Sequence, residues 1–393
     1  MRTALCLWIV MGVLCPGEVR GHKGNGGDRH HGDRHDHGDR RNNHGHDHGD
    51  SDPRKLLFEF AYSLYNQLVA QPDNQGKNVF FSPLSVSLAL AALSVGAKGQ
   101  THQQLFTGLG FNSSLLTQEQ VDQAFQTILT QLNQKVGVNL TVGSALFLQN
   151  TFTPRPEFLE DLKSFYLSEG VTVDFTNTAK AIDTINTYLV KDLDPTTVMY
   201  LLSYIYFKGK WEIPFNPEDT KEDTFRVDEN TTVPVQMMSM KKRFSVYYDQ
   251  EISTSILHLR YNNSVSMMLV LPEKGLKARE HHVYVPKLSI TTTYSLKDIL
   301  SGIGMPDIFS DRADFSGISE ELKVAVSEVV HQASLDVDEA GATAAAATGV
   351  VLMPNSYRHT PVLKFDRPFM VFVMDRETKS ILFMGKIINP ANK

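Results

Sequence analysis

The chain has 393 residues, 41% of them hydrophobic and 21% charged, which is apolar mass for one large core or two smaller ones. A formal charge of -6 argues against nucleic acid as a partner, because phosphate recognition leaves a basic signature. No stretch beyond the N-terminus is long and apolar enough to span a bilayer, so no membrane association is expected.

Residues 1–21 read as a signal peptide, with Arg2 at its positive start, an apolar run from Ala4 to Cys15, and Val19-Arg20-Gly21 as a cleavage site. Export to the extracellular space is expected. Both cysteines, Cys6 and Cys15, lie in this segment, so the mature protein is expected to rely on its core rather than on disulfides. Export also gives meaning to the glycosylation sequons at Asn112, Asn139, Asn230 and Asn262, each of which must be at the surface if used.

Residues 22–53 form a different polymer, rich in His, Gly, Asp and Arg and almost without apolar side chains. Such a composition cannot bury enough surface to offset its ordering entropy, and disorder is expected. Its histidines are His22, His30, His31, His35, His37, His44, His46 and His48. Two readings stand: a solvated tail, or a loose site for zinc, copper or nickel held by neutral imidazoles and nearby aspartates. No other cofactor is expected. In acid the imidazoles would charge and turn the segment positive.

Residues 54–393 look globular. LLFEFAYSLYNQLVA carries apolar residues at helical spacing, with Leu56, Phe60, Leu64 and Val69 expected on one face. A capped helix is predicted to start at Ser82-Pro83 and to be deeply buried along SPLSVSLALAALSVGA. Helical patterns follow at Glu119 to Asn133 and Glu157 to Ser168. The segments VGSALFL, VMYLLSYIYFKG, SILHLRY, SMMLVLP, HVYVPKLSI and FMVFVMD are β-rich. Helices early and strands later give an α+β fold with a large sheet.

Enzyme motifs are missing: the chain has no G-x-S-x-G elbow, H-E-x-x-H, P-loop or dinucleotide fingerprint. His258, His281, His282 and His331 read as structural or exposed rather than catalytic. The chain is not expected to be an enzyme.

Several long blocks occur in one order: NVFFSPLSVSLALAALSVGAKGQTHQQL, FKGKWEIPF with Phe207, Lys208, Gly209 and Trp211, VPKLSI, DFSGIS, and FDRPFMVFVMDRETKSILFMGKIINP. On these blocks the chain resembles the serpins, in particular the antitrypsin-like secreted branch, from about Lys55 to Lys393. The resemblance implies a fold of three β-sheets and eight or nine helices with an exposed reactive-centre loop. It also implies a monomeric suicide inhibitor of an extracellular serine endopeptidase, in which the cleaved loop enters the main sheet as a new strand. Serpin loop insertion is itself a standard example of strand addition.

In that frame Gly341, Ala342, Thr343, Ala344, Ala345, Ala346 and Ala347 are the loop hinge. One alternate set, Ala342, Ala344, Ala346 and Thr348, is small and uncharged as an inward face requires, and no proline interrupts Gly341 to Met353. Counting forward from Glu339 and Gly341 by the family's hinge length puts the scissile bond between Asn355 and Ser356, the favoured register. Counting backward from Lys364-Phe365 puts it between Tyr357 and Arg358. The resemblance further assigns Ser82, Ser85 and His331 to the polar cluster beneath the sheet opening, with Ser203 where the family usually has asparagine. It assigns Trp211, Lys287 and Glu339 to the top of the sheet. Two connections depart from the family pattern. VKDLDPTTV follows INTYL without the usual Thr-x-Gly-Lys-Ile stretch, and GLKAREHHVYVPKLSI lacks two short helices. A second class therefore stands beside the first, a noninhibitory serpin that carries a ligand or binds a partner.

Overall fold

The structure is a computed structural model that describes residues 53–186, 194–272, 280–319, 324–339 and 360–392. Helix α1, Pro53–Ala70, buries Phe60, Ala61, Leu64, Tyr65 and Leu68. Val69, expected on that stripe, is only half-buried. It follows Phe60 by about two and a half helical turns and so comes round to the other side, whereas Leu68 stays near Phe60.

Strand β1, Val79–Phe81, leads into Ser82, whose hydroxyl accepts a 3.0 Å bond from Ser85 N–H and caps helix α2, Pro83–Gly96. Pro83 sits in the first turn, where a missing N–H leaves no bond unmade. Every residue of α2 except Val95 is buried, as a helix apolar on all sides must be. Helices α3, Gly99–Gly108, and α4, Gln118–Asn133, follow, the latter opened by a reciprocal capping box between Thr117 and Gln120.

Next come β2, Val138–Gln149; α5, Pro156–Tyr166; β3, Glu169–Val173; α6, Thr178–Asn186; and β4, Met199–Gly209. Helix α5 stops before the expected Ser168 because Leu167 adopts a left-handed φ of 49°, which ends the helix. Strands β5, Lys221–Arg226, β6, Thr232–Lys242, β7, Ser245–Asp249, β8, Thr254–Arg260, and β9, Val265–Pro272, form a continuous β region. HVYVPKLSI divides at Lys287 into β10, His281–Pro286, and β11, Leu288–Ser295, which belong to different sheets. Helix α7, Lys297–Gly302, and strands β12, Glu328–Val337, β13, Val362–Lys364, β14, Phe369–Asp375, and β15, Ser380–Ile387, complete the described elements.

The architecture is α+β with three sheets, and the described residues contain seven α-helices. The six-stranded sheet has the order β1-β15-β14-β9-β8-β7, the four-stranded sheet β13-β10-β6-β5, and the five-stranded sheet β11-β12-β4-β2-β3. Helix α2 touches β2 and β4 of the five-stranded sheet and β15 of the six-stranded one, so it is the filling between them. On the opposite face of the five-stranded sheet, Ala181 and Ile185 of α6 pack with Phe147, Tyr200 and Leu202. The DFSGIS block meets the end of α2 backbone to backbone. Gly317 N–H donates to Gly96 O at 3.1 Å, and a Cβ on Gly317 would lie 2.7 Å from that oxygen. The shortened connections expected after INTYL and after Pro272 fall on residues 187–193 and 273–279, which lie outside the described residues.

One relationship positions the site. In the five-stranded sheet β12 runs parallel to its neighbour β4, in register from Glu328↔Tyr200 to Asp336↔Lys208, while β11 and β2 lie antiparallel on either side. Parallel ladders are slightly less stable per residue than antiparallel ones, and of the two in this sheet, β2–β3 at the edge and β4–β12 inside, the seam is the one flanked by strands on both sides.

Candidate functional site

Midway along the seam a polar cluster interrupts the core. Strand alternation turns Ser203 of β4 and His331 of β12 toward α2, and the two are direct register partners. His331 is completely buried, as are Ser82, Ser85 and Ser203. Ser82 N–H donates to His331 Nε2 at 3.0 Å, which makes that nitrogen an acceptor and leaves the proton of the neutral ring on Nδ1. Nδ1 then donates to Ser203 Oγ at 2.8 Å, with Ser85 Oγ at 3.3 Å beside it. Burial lowers the His331 pKa to about 3, so the ring is neutral across the physiological range. One imidazole thus joins α2, β4 and β12.

The Ser203–His331 distance suits a nucleophile and base, but the arrangement cannot act as one. The ring's second nitrogen accepts a backbone N–H in place of facing a carboxylate, and both side chains are sealed from solvent.

The second cluster closes the end of the seam. Trp211 stacks on Tyr261 with centroids 4.2 Å apart and donates from Nε1 to Asp338 O at 2.8 Å. Lys287 Nζ lies 2.7 Å from Glu339 Oε2, and Lys208 Nζ lies 3.0 Å from Asp338 Oδ2. Phe215 N–H donates to Glu339 O at 3.2 Å. Burial raises the Glu339 pKa, but the Lys287 ammonium and further hydrogen bonds outweigh it and leave the carboxyl below its ordinary value. The chain leaving β12 is therefore clasped by an indole and two lysines at the point where it departs from the sheet. The glycine of FKGKW makes this possible, because a Cβ on Gly209 would lie 2.4 Å from Tyr261 Cδ1 and 2.6 Å from Phe207 Cζ.

Ser82, Ser85, Ser203 and His331 thus meet at mid-seam, and Trp211, Lys287 and Glu339 meet at its end. Sequence reasoning named Lys208 only as part of the FKGKW block and missed Asp338 and Tyr261. Asp338, one residue past the end of β12, continues the alternation of Asp336, and that period of two was the available signal for it. The hinge Gly341 to Ala347, the bonds at Asn355, Ser356, Tyr357 and Arg358, and the tail histidines lie outside the described residues. Asn112, Asn139, Asn230 and Asn262 are all exposed.

Fold and clusters define a class: an α+β protein in which two adjacent parallel strands are pinned at mid-length and clasped where the chain leaves one of them. The serpin family model, described as serine protease inhibitor, matches residues 56–281 and 273–390, and the chain belongs to this family. The chain is 42% identical to alpha-1-antiproteinase 2 of Equus caballus, over 86% of this chain and 87% of that one. It is 40% identical to hibernation-specific plasma protein HP-55 of Tamias sibiricus, over 86% and 88%. Among solved structures it superposes on human thyroxine-binding globulin complexed with its ligand with a TM-score of 0.80 at 33% identity, over 87% of this chain and 99% of that one.

Proposed function

We propose that this chain is a secreted serine protease inhibitor that is consumed by its target. The observation that carries the reading is the parallel adjacency of β12 and β4, with the chain clasped at Glu339 two residues beyond the end of β12. A strand folding back from the end of β12 would run antiparallel to β12 and to β4, replacing one parallel ladder by two antiparallel ones. The wall it would meet is formed by Ser203, His331 and α2, fully buried and close-packed, so small inward side chains such as Ala342, Ala344, Ala346 and Thr348 suit it.

In this mechanism the protease's serine oxygen attacks the carbonyl carbon of the bait residue, the peptide C–N bond breaks, and the new amine leaves with the C-terminal piece. The bait remains joined to the protease as an ester on the N-terminal piece, which then enters the seam. Asn355-Ser356 is the bait bond by hinge length and Tyr357-Arg358 the alternative. Ser82, Ser85, Ser203 and His331 resist opening at mid-seam, and Trp211, Lys287 and Glu339 resist it at the entry. The relatives named antiproteinase and plasma protein support inhibition and an extracellular setting. Among the described residues no helix is long and apolar enough to cross a membrane. Exposure of the four sequon asparagines suits glycan attachment, and the tail histidines remain a proposed loose metal site.

The test is to mix the purified chain with trypsin-, chymotrypsin- and elastase-like enzymes. An SDS-stable complex with one of them is expected, and the mass of the released C-terminal peptide then fixes the bait bond. Simple clipping by all three, without complex, favours the second reading of a carrier serpin, which the similarity to thyroxine-binding globulin supports.

A further inference from the structure

A cavity of about 260 Å³ lies beside the Trp211–Tyr261 stack, between the β6–β7 junction and β8. Trp211, Phe215, Met240 and Leu259 give it an apolar wall, and of these Trp211, Phe215 and Leu259 are buried. Ile213, at its edge, is 42% exposed although large and apolar.

The charges around the cavity are unbalanced. Arg243 and Arg260 line it against one carboxylate, Glu212, and neither guanidinium is ion-paired among the described residues. His258 also lines it, and its Nε2 is buried without a hydrogen-bond partner among the described residues. Burial first, then the charges of Arg260 and Arg376, lowers the His258 pKa to about 4, so the ring is neutral and offers one N–H. A buried polar nitrogen with no partner is uncommon in a folded protein and calls for an explanation. An anion held by the two cations, with a ring against the indole wall, would balance the unpaired guanidinium charges.

We propose that this cavity binds a small aromatic carboxylate. Its ring lies against Trp211, and its carboxylate is taken by Arg243 and Arg260. The site borders the seam, because the same indole donates to Asp338 O. The proposal stands apart from protease inhibition and is read by binding alone.

The experiment is calorimetric titration of the full chain with indole-3-acetate as probe, indole-3-acetamide as its neutral isostere, and the double variant Arg243→Gln/Arg260→Gln. Both arginines are exposed, so the variant retains the fold, and circular dichroism checks this. Saturable one-to-one binding is expected, at least fivefold weaker both for the amide and for the double variant. No saturable heat up to millimolar probe, or a loss of less than fivefold for either the amide or the variant, overturns the proposal.

Discussion

Ser203 Oγ lies 2.8 Å from His331 Nδ1, and the two residues face each other in the register of β4 and β12. The bond spans the line along which the sheet must part to admit a strand. Ser203→Ala removes the acceptor of a buried N–H, a loss of about 1–3 kcal/mol. A guanidinium midpoint lowered with unchanged slope is the expected result. An unchanged midpoint means that Ser85, at 3.3 Å, replaces the bond in full.

His331 also sets a pH dependence. The native ring takes a proton only near pH 3, whereas in the unfolded chain it does so near 6.5. Between those values the unfolded state binds more protons, so the His331 contribution makes stability rise with pH, by up to ~1.4 kcal/mol per unit. In His331→Gln the stability difference between pH 7 and pH 5 is expected to shrink by about 2 kcal/mol. Chemical denaturation at the two pH values measures this, and an identical difference in both proteins contradicts it.

Gly209 tests the clasp by shape alone. In Gly209→Ala the new methyl meets Tyr261 at 2.4 Å, so Tyr261 and the Trp211 stacked on it must shift. Overpacking of this kind costs about 1–3 kcal/mol. A lower melting temperature together with a red-shifted indole emission is expected.

A buried ion pair outside the two seam clusters serves as a contrast. Lys135 Nζ is 3.0 Å from Asp375 Oδ1, and both side chains are almost wholly enclosed. Burial pushes the Asp375 carboxyl up, but bonds from Ser264, Thr378 and Lys135 outweigh it and hold its pKa below the ordinary value. Its contribution is present above the unfolded pKa and is lost as pH falls through the lower native one. Lys135→Met strands the carboxylate at a cost of about 3–5 kcal/mol, and adding Asp375→Asn is expected to recover part of it. Thermal unfolding of the single and double variants measures both, and equal stabilities contradict the coupling.

Much of this was legible in the chain because short-range chemistry decided it. Ser82-Pro83 announced the start of α2, and its apolar body announced burial on all sides. Strand β12 was harder to read. Its inward set includes His331 and Ala333 while its outward set includes Val330, so polarity does not alternate although burial does. HVYVPKLSI reads as one apolar run, and only the division between sheets at Lys287 splits it. The mid-seam cluster came from family resemblance, since nothing local ties Ser203 to a histidine 128 residues away. The cavity beside Trp211 was invisible, because Arg243, His258 and Arg260 converge only through the pairing of β7 with β8.

The central claim is that the seam between β4 and β12 opens and accepts the cut loop as a new strand. Thermal unfolding of the intact protein and of protein nicked within residues 340–359 measures this most directly. A melting temperature raised by about 10 °C or more in the nicked form is predicted, because several kcal/mol of new ladder and burial are added to the native state. A melting temperature that is unchanged or lower after the nick contradicts the account.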